Sequence, residues 1–211
     1  MQQDQITGYS EKLQIEKRYV TVTTKETLLE MVEAIEEASR ISLDTETTSL
    51  NPRKGKIIGF SITTKIGTGF YLPTLKWNNY TQKLEELLIE GKSTHNIAVR
   101  VMKMLKGKKL ICHNASFDLR YIKNYYGVSL IEDLWVDTAL LVHTVQEEGA
   151  GMGVFGLKPL AVSIQEHIGL NVEEAANKEQ VELKESIKKN GGSTTKDSFE
   201  IYKADMEILS K

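Results

Sequence analysis

The chain has 211 residues, 40% apolar and 27% charged, with a formal net charge of -2 and one cysteine. This suits one globular domain with its own core and argues against a disordered chain. No apolar run approaches the ~20 residues of a membrane span, and Cys112 alone rules out an internal disulfide.

Residues 19–23, YVTVT, alternate as a strand does. Thr24 is placed to cap a helix in which Leu28, Leu29, Met31, Val32 and Ile35 recur at helical spacing. The next strand is ISLDTE, followed by an NPRKG turn. IIGFSIT and GTGFYLP predict a hairpin closing near residues 65–67. YTQKLEELLIE predicts a helix over about 80–90, and a second helix is expected around 95–105. KKLICHN reads as a short strand running into the helix SFDLRYIKNYY, which Gly127 ends.

Asp137 is expected to cap a helix through about His143. Residues 147–156, EEGAGMGVFG, read as a connecting loop and not a phosphate loop, because no Lys-Ser/Thr pair follows. LKPLAVSIQEHIG reads as a helix. Residues 172–198 are charged and polar, an ordered flap or a flexible stretch with its loosest point at NGGSTT. SFEIYKADMEIL predicts a final helix. With residues 1–18 as an N-terminal extension, this order predicts a single α/β domain, a mixed central sheet flanked by helices. The polar N-terminus, MQQDQITGYSEKL, and the lone cysteine predict a cytoplasmic setting.

The chemistry begins in residues 41–50, ISLDTETTSL. Residues two apart in a strand share a face, so Ile41, Leu43 and Thr45 lie on one side and Ser42, Asp44 and Glu46 on the other. Burying unpaired carboxylates is costly, and a pair of them suits a hard divalent cation. A second piece, CHNASFDLRYI, places His113 at a strand end, Asn114 as the expected helix N-cap and Asp118 one turn in. A third is Asp205, set among Ile201, Tyr202, Ile208 and Leu209 on what reads as the inward face of the last helix. The basic clusters at Arg53, Lys54 and Lys56, at Lys106, Lys108 and Lys109, and at Lys188 and Lys189 read as solvated loop and helix ends.

The set D-x-E, N-x-x-x-D and a late Asp resembles the DEDD superfamily of 3′–5′ exonucleases. It is most similar to the proofreading domain of family A, DNA polymerase I type, enzymes. YVTVTTKETLLEMVEAI, IIGFSITTKIGTGFYLP, HNASFD, VDTALLVHTV and GLKPLA follow in the family's order. The resemblance implies a ribonuclease H-like fold and two divalent cations, magnesium or manganese, held by Asp44, Glu46, Asp118 and Asp205. It further implies metal-activated water, in-line attack and release of nucleoside 5′-monophosphates. Leu50 matches an apolar wedge at the terminal base, and Asn114, His113 and Thr47 match contacts to the terminal nucleotide. One departure stands in the third motif. The tyrosine branch has Tyr four residues before the last Asp, where this chain has Ile201, with Tyr202 three before; the histidine branch would need His where Glu200 stands.

The expected partner is therefore DNA, at a single-stranded or frayed 3′ end, with no membrane. A polymerase domain in cis is also expected, which makes this the N-terminal part of a longer, phage-type polymerase and places it in a host cytoplasm. Two alternatives stay open. One is ribonuclease D-like trimming of RNA. The other is a catalytically weakened fold kept as a DNA-binding or structural module.

Overall fold

The structure is a computed structural model that describes residues 18–145, 156–168, 172–195 and 198–209. Its centre is a six-stranded sheet in the order β1-β4-β3-β2-β9-β10. These strands are β1 (Arg18–Thr21), β2 (Arg40–Thr47), β3 (Ile57–Thr63), β4 (Thr68–Pro73), β9 (Lys109–Cys112) and β10 (Leu134–Asp137). β3 runs antiparallel to both β2 and β4, while β9 runs parallel to β2 and β10 parallel to β9. Setting aside β1, which adds parallel to β4, this is the ribonuclease H-like arrangement anticipated above.

Helices cover the sheet: α1 (Lys25–Glu37), α2 (Thr94–Met104), α3 (Ala115–Tyr126), α4 (Thr138–Val145), α5 (Leu157–Ile168) and α6 (Val172–Lys189). The α1 cap is as expected, with the Thr24 hydroxyl accepting from the Thr27 amide. One core joins Met31 and Ile35 of α1, Ile41 and Leu43 of β2, Phe60 and Ile62 of β3 and Ile122 of α3. Several lysines of the basic clusters serve this framework. The Lys108 ammonium bonds the carbonyls of Glu36 and Ala38, and Lys109 lies over the Trp135 ring.

Two expectations are corrected. The helix expected over 80–90 is instead two hairpins, β5 (Leu75–Asn78) with β6 (Lys83–Glu86), and β7 (Leu88–Ile89) with β8 (Lys92–Ser93). The Asn78 side-chain oxygen Oδ1 accepts from the amides of Tyr80 and Thr81, which is turn chemistry. Gln82, Glu90 and Gly91 then take positive φ angles of 52°, 48° and 75°, which no helix tolerates. In the 172–198 segment, the described residues begin with the 18-residue helix α6, which is followed by the hairpin of β11 (Thr194–Thr195) and β12 (Ser198–Phe199).

The final helix does not form as one element. A single 3₁₀ turn, Ile201–Lys203, gives way to extended backbone at Ala204 and then to the short α7 (Met206–Leu209). The extension over residues 1–17 and the glycine-rich loop over 146–155 lie outside the described residues. Among those described, no helix is long and apolar enough to cross a membrane.

Candidate active site

The two faces of β2 divide as its alternation requires: Ile41, Leu43 and Thr45 are buried, while Ser42, Asp44 and Glu46 face outward. β9 pairs with β2 only as far as Ser42, then turns away into α3. That divergence frees the Thr45 amide, and Asp118 takes it. Its Oδ1 accepts from the Thr45 amide at 2.9 Å and from the Thr45 hydroxyl at 2.6 Å.

Asp118 is only 2% exposed, and burial pushes its carboxyl up to about 6 despite the Thr45 bonds. Burial also raises Asp44. Glu46 is pushed up to about 7, first by burial and then by the charges of Asp44 and Asp118, with Lys158 of α5 pulling the other way. Asp44, Glu46 and Asp118 thus feel one another's charge across the mouth of the β2–β9 gap. Thr45 had attracted no attention in the sequence because its position reads as core. Thr45→Val, which removes one bond to Asp118 and keeps the shape, is expected to lower metal-dependent activity ~10-fold. A turnover assay beside a melting curve checks this.

Asn114 is not the side-chain cap expected of it. It sits in the left-handed region, φ 61°, and its side chain caps nothing. Asp137, at the end of β10, caps α3 from outside instead. Its carboxylate accepts from the amides of Asn114 at 3.0 Å and Ala115 at 2.8 Å, and also from Ala139 at the start of its own helix α4 at 3.0 Å. One carboxylate therefore holds two helix N-termini. Asp137→Ala is expected to cost about 2 kcal/mol or more, since each lost cap costs ~0.5–2 kcal/mol. Chemical denaturation measures it.

Next to it, His113 Nδ1 lies 2.9 Å from the Thr138 hydroxyl, which lies 3.3 Å from the Cys112 carbonyl. These contacts hold the His113 ring against the end of β9 and the start of α4. His113 lines a cavity of about 200 Å³ that it shares with Asp44 and Thr138.

The turn after β2 is pinned from α3. The Tyr121 hydroxyl donates to the carbonyls of Ser49 and Asn51, and the Thr47 hydroxyl donates to Ser49 at 3.0 Å. Leu50, at the tip, is 88% exposed. It borders a cleft of about 780 Å³ whose walls include Glu46, Phe117, Glu200, Ile201 and Tyr202. Both Ile201 and Tyr202 line this cleft. The Tyr202 hydroxyl donates to Glu200 at 2.5 Å, and its ring meets Trp77 of β5 edge-on.

Asp205 is held apart from the other carboxylates. Its Oδ1 accepts from the Asn190 amide at 2.8 Å and its Oδ2 lies 3.5 Å from the Lys189 ammonium, contacts that keep its pKa low. Among the described residues, no three His, Cys, Asp or Glu side chains converge closely enough to hold an ion. Asp44, Glu46 and Asp118 nonetheless supply the hard, mutually repelling oxygens that suit a divalent cation.

Residues 19–189 match the 3′–5′ exonuclease family model of the DNA polymerase A type. DNA polymerase I of Borreliella burgdorferi is 33% identical over 110 residues, 51% of this chain and 11% of that protein. The chain thus spans about a tenth of the length of this curated relative. Among solved structures, Escherichia coli RNase D superposes with a TM-score of 0.49 at 17% identity, over 75% of this chain and 36% of that one. Pol1 from M. smegmatis, in complex with a DNA primer-template and a nucleotide, gives 0.49 at 18%, over 70% and 22%. The family match runs from β1 to the end of α6 and takes in the Asp44–Glu46 and Asp118 motifs, so the chain belongs to the 3′–5′ exonuclease family of DNA polymerase I type, hydrolases acting on nucleic acids.

Proposed function

We propose that this domain removes nucleotides one at a time from single-stranded or frayed DNA 3′ ends, as a proofreading activity joined to a polymerase in cis. The observation that carries the reading is Glu46, which lines the cleft bordered by the exposed apolar tip Leu50 and feels the charges of Asp44 and Asp118. Asp44, Glu46 and Asp118, with Asp205, would hold two divalent cations, magnesium or manganese. When bound, such ions lower the pKa of a water and neutralise charge on the phosphate.

The chain's own residues supply the rest. Leu50 and Phe117 offer apolar surface to the terminal base, while the Asn114 side chain and His113, which shares a cavity with Asp44, would offer polar contacts. Thr47 holds the Leu50 turn. Tyr202, which lines the cleft with Glu46, would orient the attacking water. The partial match to a DNA polymerase I supports a polymerase partner in cis.

The test is degradation of 5′-labelled single-stranded DNA and RNA oligonucleotides with magnesium or manganese. Stepwise shortening of DNA from the 3′ end with release of 5′-mononucleotides is expected, and Asp44→Ala should lose ~100-fold or more. Faster trimming of RNA would move the domain to the ribonuclease D side. Equal traces from wild type and Asp44→Ala would leave only a binding or structural module.

A further inference from the structure

The sheet register places Glu46 of β2 directly opposite Gly59 of β3, which is itself opposite Pro73 of β4. Two residues back on the outward face, Asp44, Ser61 and Tyr71 form the next cross-strand row. Tyr71 leans diagonally out of its own row and over Gly59. A Cβ on Gly59 would stand 2.3 Å from the Tyr71 hydroxyl oxygen and 2.5 Å from the ring carbon that bears it. The hydroxyl therefore occupies the place where a side chain at position 59 would be. Cβ atoms of directly opposed residues lie ~4.5–5.5 Å apart, so that place is within reach of the Glu46 side chain.

Two further facts make this more than packing. Tyr71 is only 4% exposed, and its hydroxyl has no hydrogen-bond partner among the described residues. A buried hydroxyl without a partner costs ~1–3 kcal/mol, so one kept in this position needs a reason. Burial and then the charge of Glu46 are the main causes that push the Tyr71 phenol upward, which places the two groups in one electrostatic neighbourhood.

We propose that Tyr71 is a positioning residue for Glu46: its hydroxyl, cradled on Gly59 and without a partner among the described residues, takes the Glu46 carboxylate as its acceptor when Glu46 turns into its metal-holding orientation, and so fixes that orientation. Gly59 is needed because any Cβ would displace the phenol. Tyr71 acts through Glu46. This inference rests on Glu46 being a metal ligand in the exonuclease reading.

The test uses Tyr71→Phe, which removes one oxygen and keeps the ring. Manganese affinity, measured by calorimetry on the protein without nucleic acid, is expected to weaken ~10-fold. With oligonucleotide, kcat should fall by a similar factor while KM stays within about twofold. The metal-free protein should melt no lower than wild type, because a buried unpartnered group has been removed. A purely structural tyrosine would leave manganese affinity and kcat unchanged, and that result would overturn the proposal. Gly59→Ala should weaken manganese binding in the same way, and Tyr71→Phe added to it should lower affinity no further. Full additivity would also overturn the proposal. If wild type binds manganese but cleaves nothing, the exonuclease reading fails while the affinity arm still decides the role of Tyr71.

Discussion

Glu46→Gln is expected to stabilise the metal-free domain at pH 8 while abolishing its nuclease activity. The folded state holds the Glu46 carboxyl at about 7 against an ordinary value of 4.5, through burial and the neighbouring charges of Asp44 and Asp118. Folding therefore favours the protonated form. The stability this group contributes is complete below about pH 4.5 and is lost as pH rises through about 7. A displacement of that size corresponds to on the order of 3 kcal/mol at most, less for a side chain that lines an open cleft, and glutamine, uncharged at every pH, avoids the loss.

The melting temperature of wild type in a chelating buffer should thus fall between pH 5 and 8, while that of Glu46→Gln should flatten above pH 6. Some slope should remain at lower pH in both, because Asp118 is itself raised to about 6 and its main charged neighbour is Asp44. Magnesium or manganese should return the lost stability to wild type, since a ligand bound only by the folded state stabilises it. A wild-type melting temperature that is flat from pH 6 to 8 without metal would show that these carboxylates do not crowd one another. The opposite signs on stability and activity separate a functional carboxylate from one kept for structure.

Much of this arrangement is legible in the sequence because it rests on short periods. The alternation in ISLDTE places Asp44 and Glu46 together on one face before any fold is known, and the HNASFD run fixes Asp118 one turn into a helix. What escaped depends on contacts between distant segments. Asp137 caps its own helix, as expected, but its hold on Asn114 and Ala115 follows from β10 pairing beside β9. Thr45 becomes a donor to Asp118 only because β9 leaves β2 after Ser42. The hairpin at Asn78 was hidden by leucines at helical spacing, although an Asn-Asn pair before Tyr80 carried the turn chemistry. The break before Asp205 has no proline or glycine to announce it. There the Asp205 amide donates to the Ser186 hydroxyl of α6 at 2.7 Å, so a tertiary partner takes a bond that a continuous helix would have used.

That captured segment sets up the second large effect. Asp205 has two readings that substitutions can separate, as a carboxylate needed for its charge or as an acceptor needed to hold Asn190. Asn190 is nearly buried and spends both amide hydrogens, one on Asp205 and one on the Lys203 carbonyl, while accepting from Asn79 of the β5–β6 turn. Asp205→Asn retains an oxygen for Asn190 and removes the charge. If Asp205 joins Asp44, Glu46 and Asp118 in holding cations, Asp205→Asn should lose ~100-fold or more in turnover with little change in melting temperature. Asp205→Ala should match it in activity but melt lower, by the cost of leaving the buried Asn190 donor unpaired, about 1–3 kcal/mol. Tyr202→Phe should cost ~10-fold. Its phenol is pushed up to about 12 by burial and then by Glu200, so it stays protonated and the pH–rate profile should show no break from it below pH 9. An Asp205→Asn domain that cleaves as fast as wild type would remove Asp205 from the catalytic carboxylates. It would leave the Glu46 side of the cleft to carry the chemistry with Asp44 and Asp118 alone.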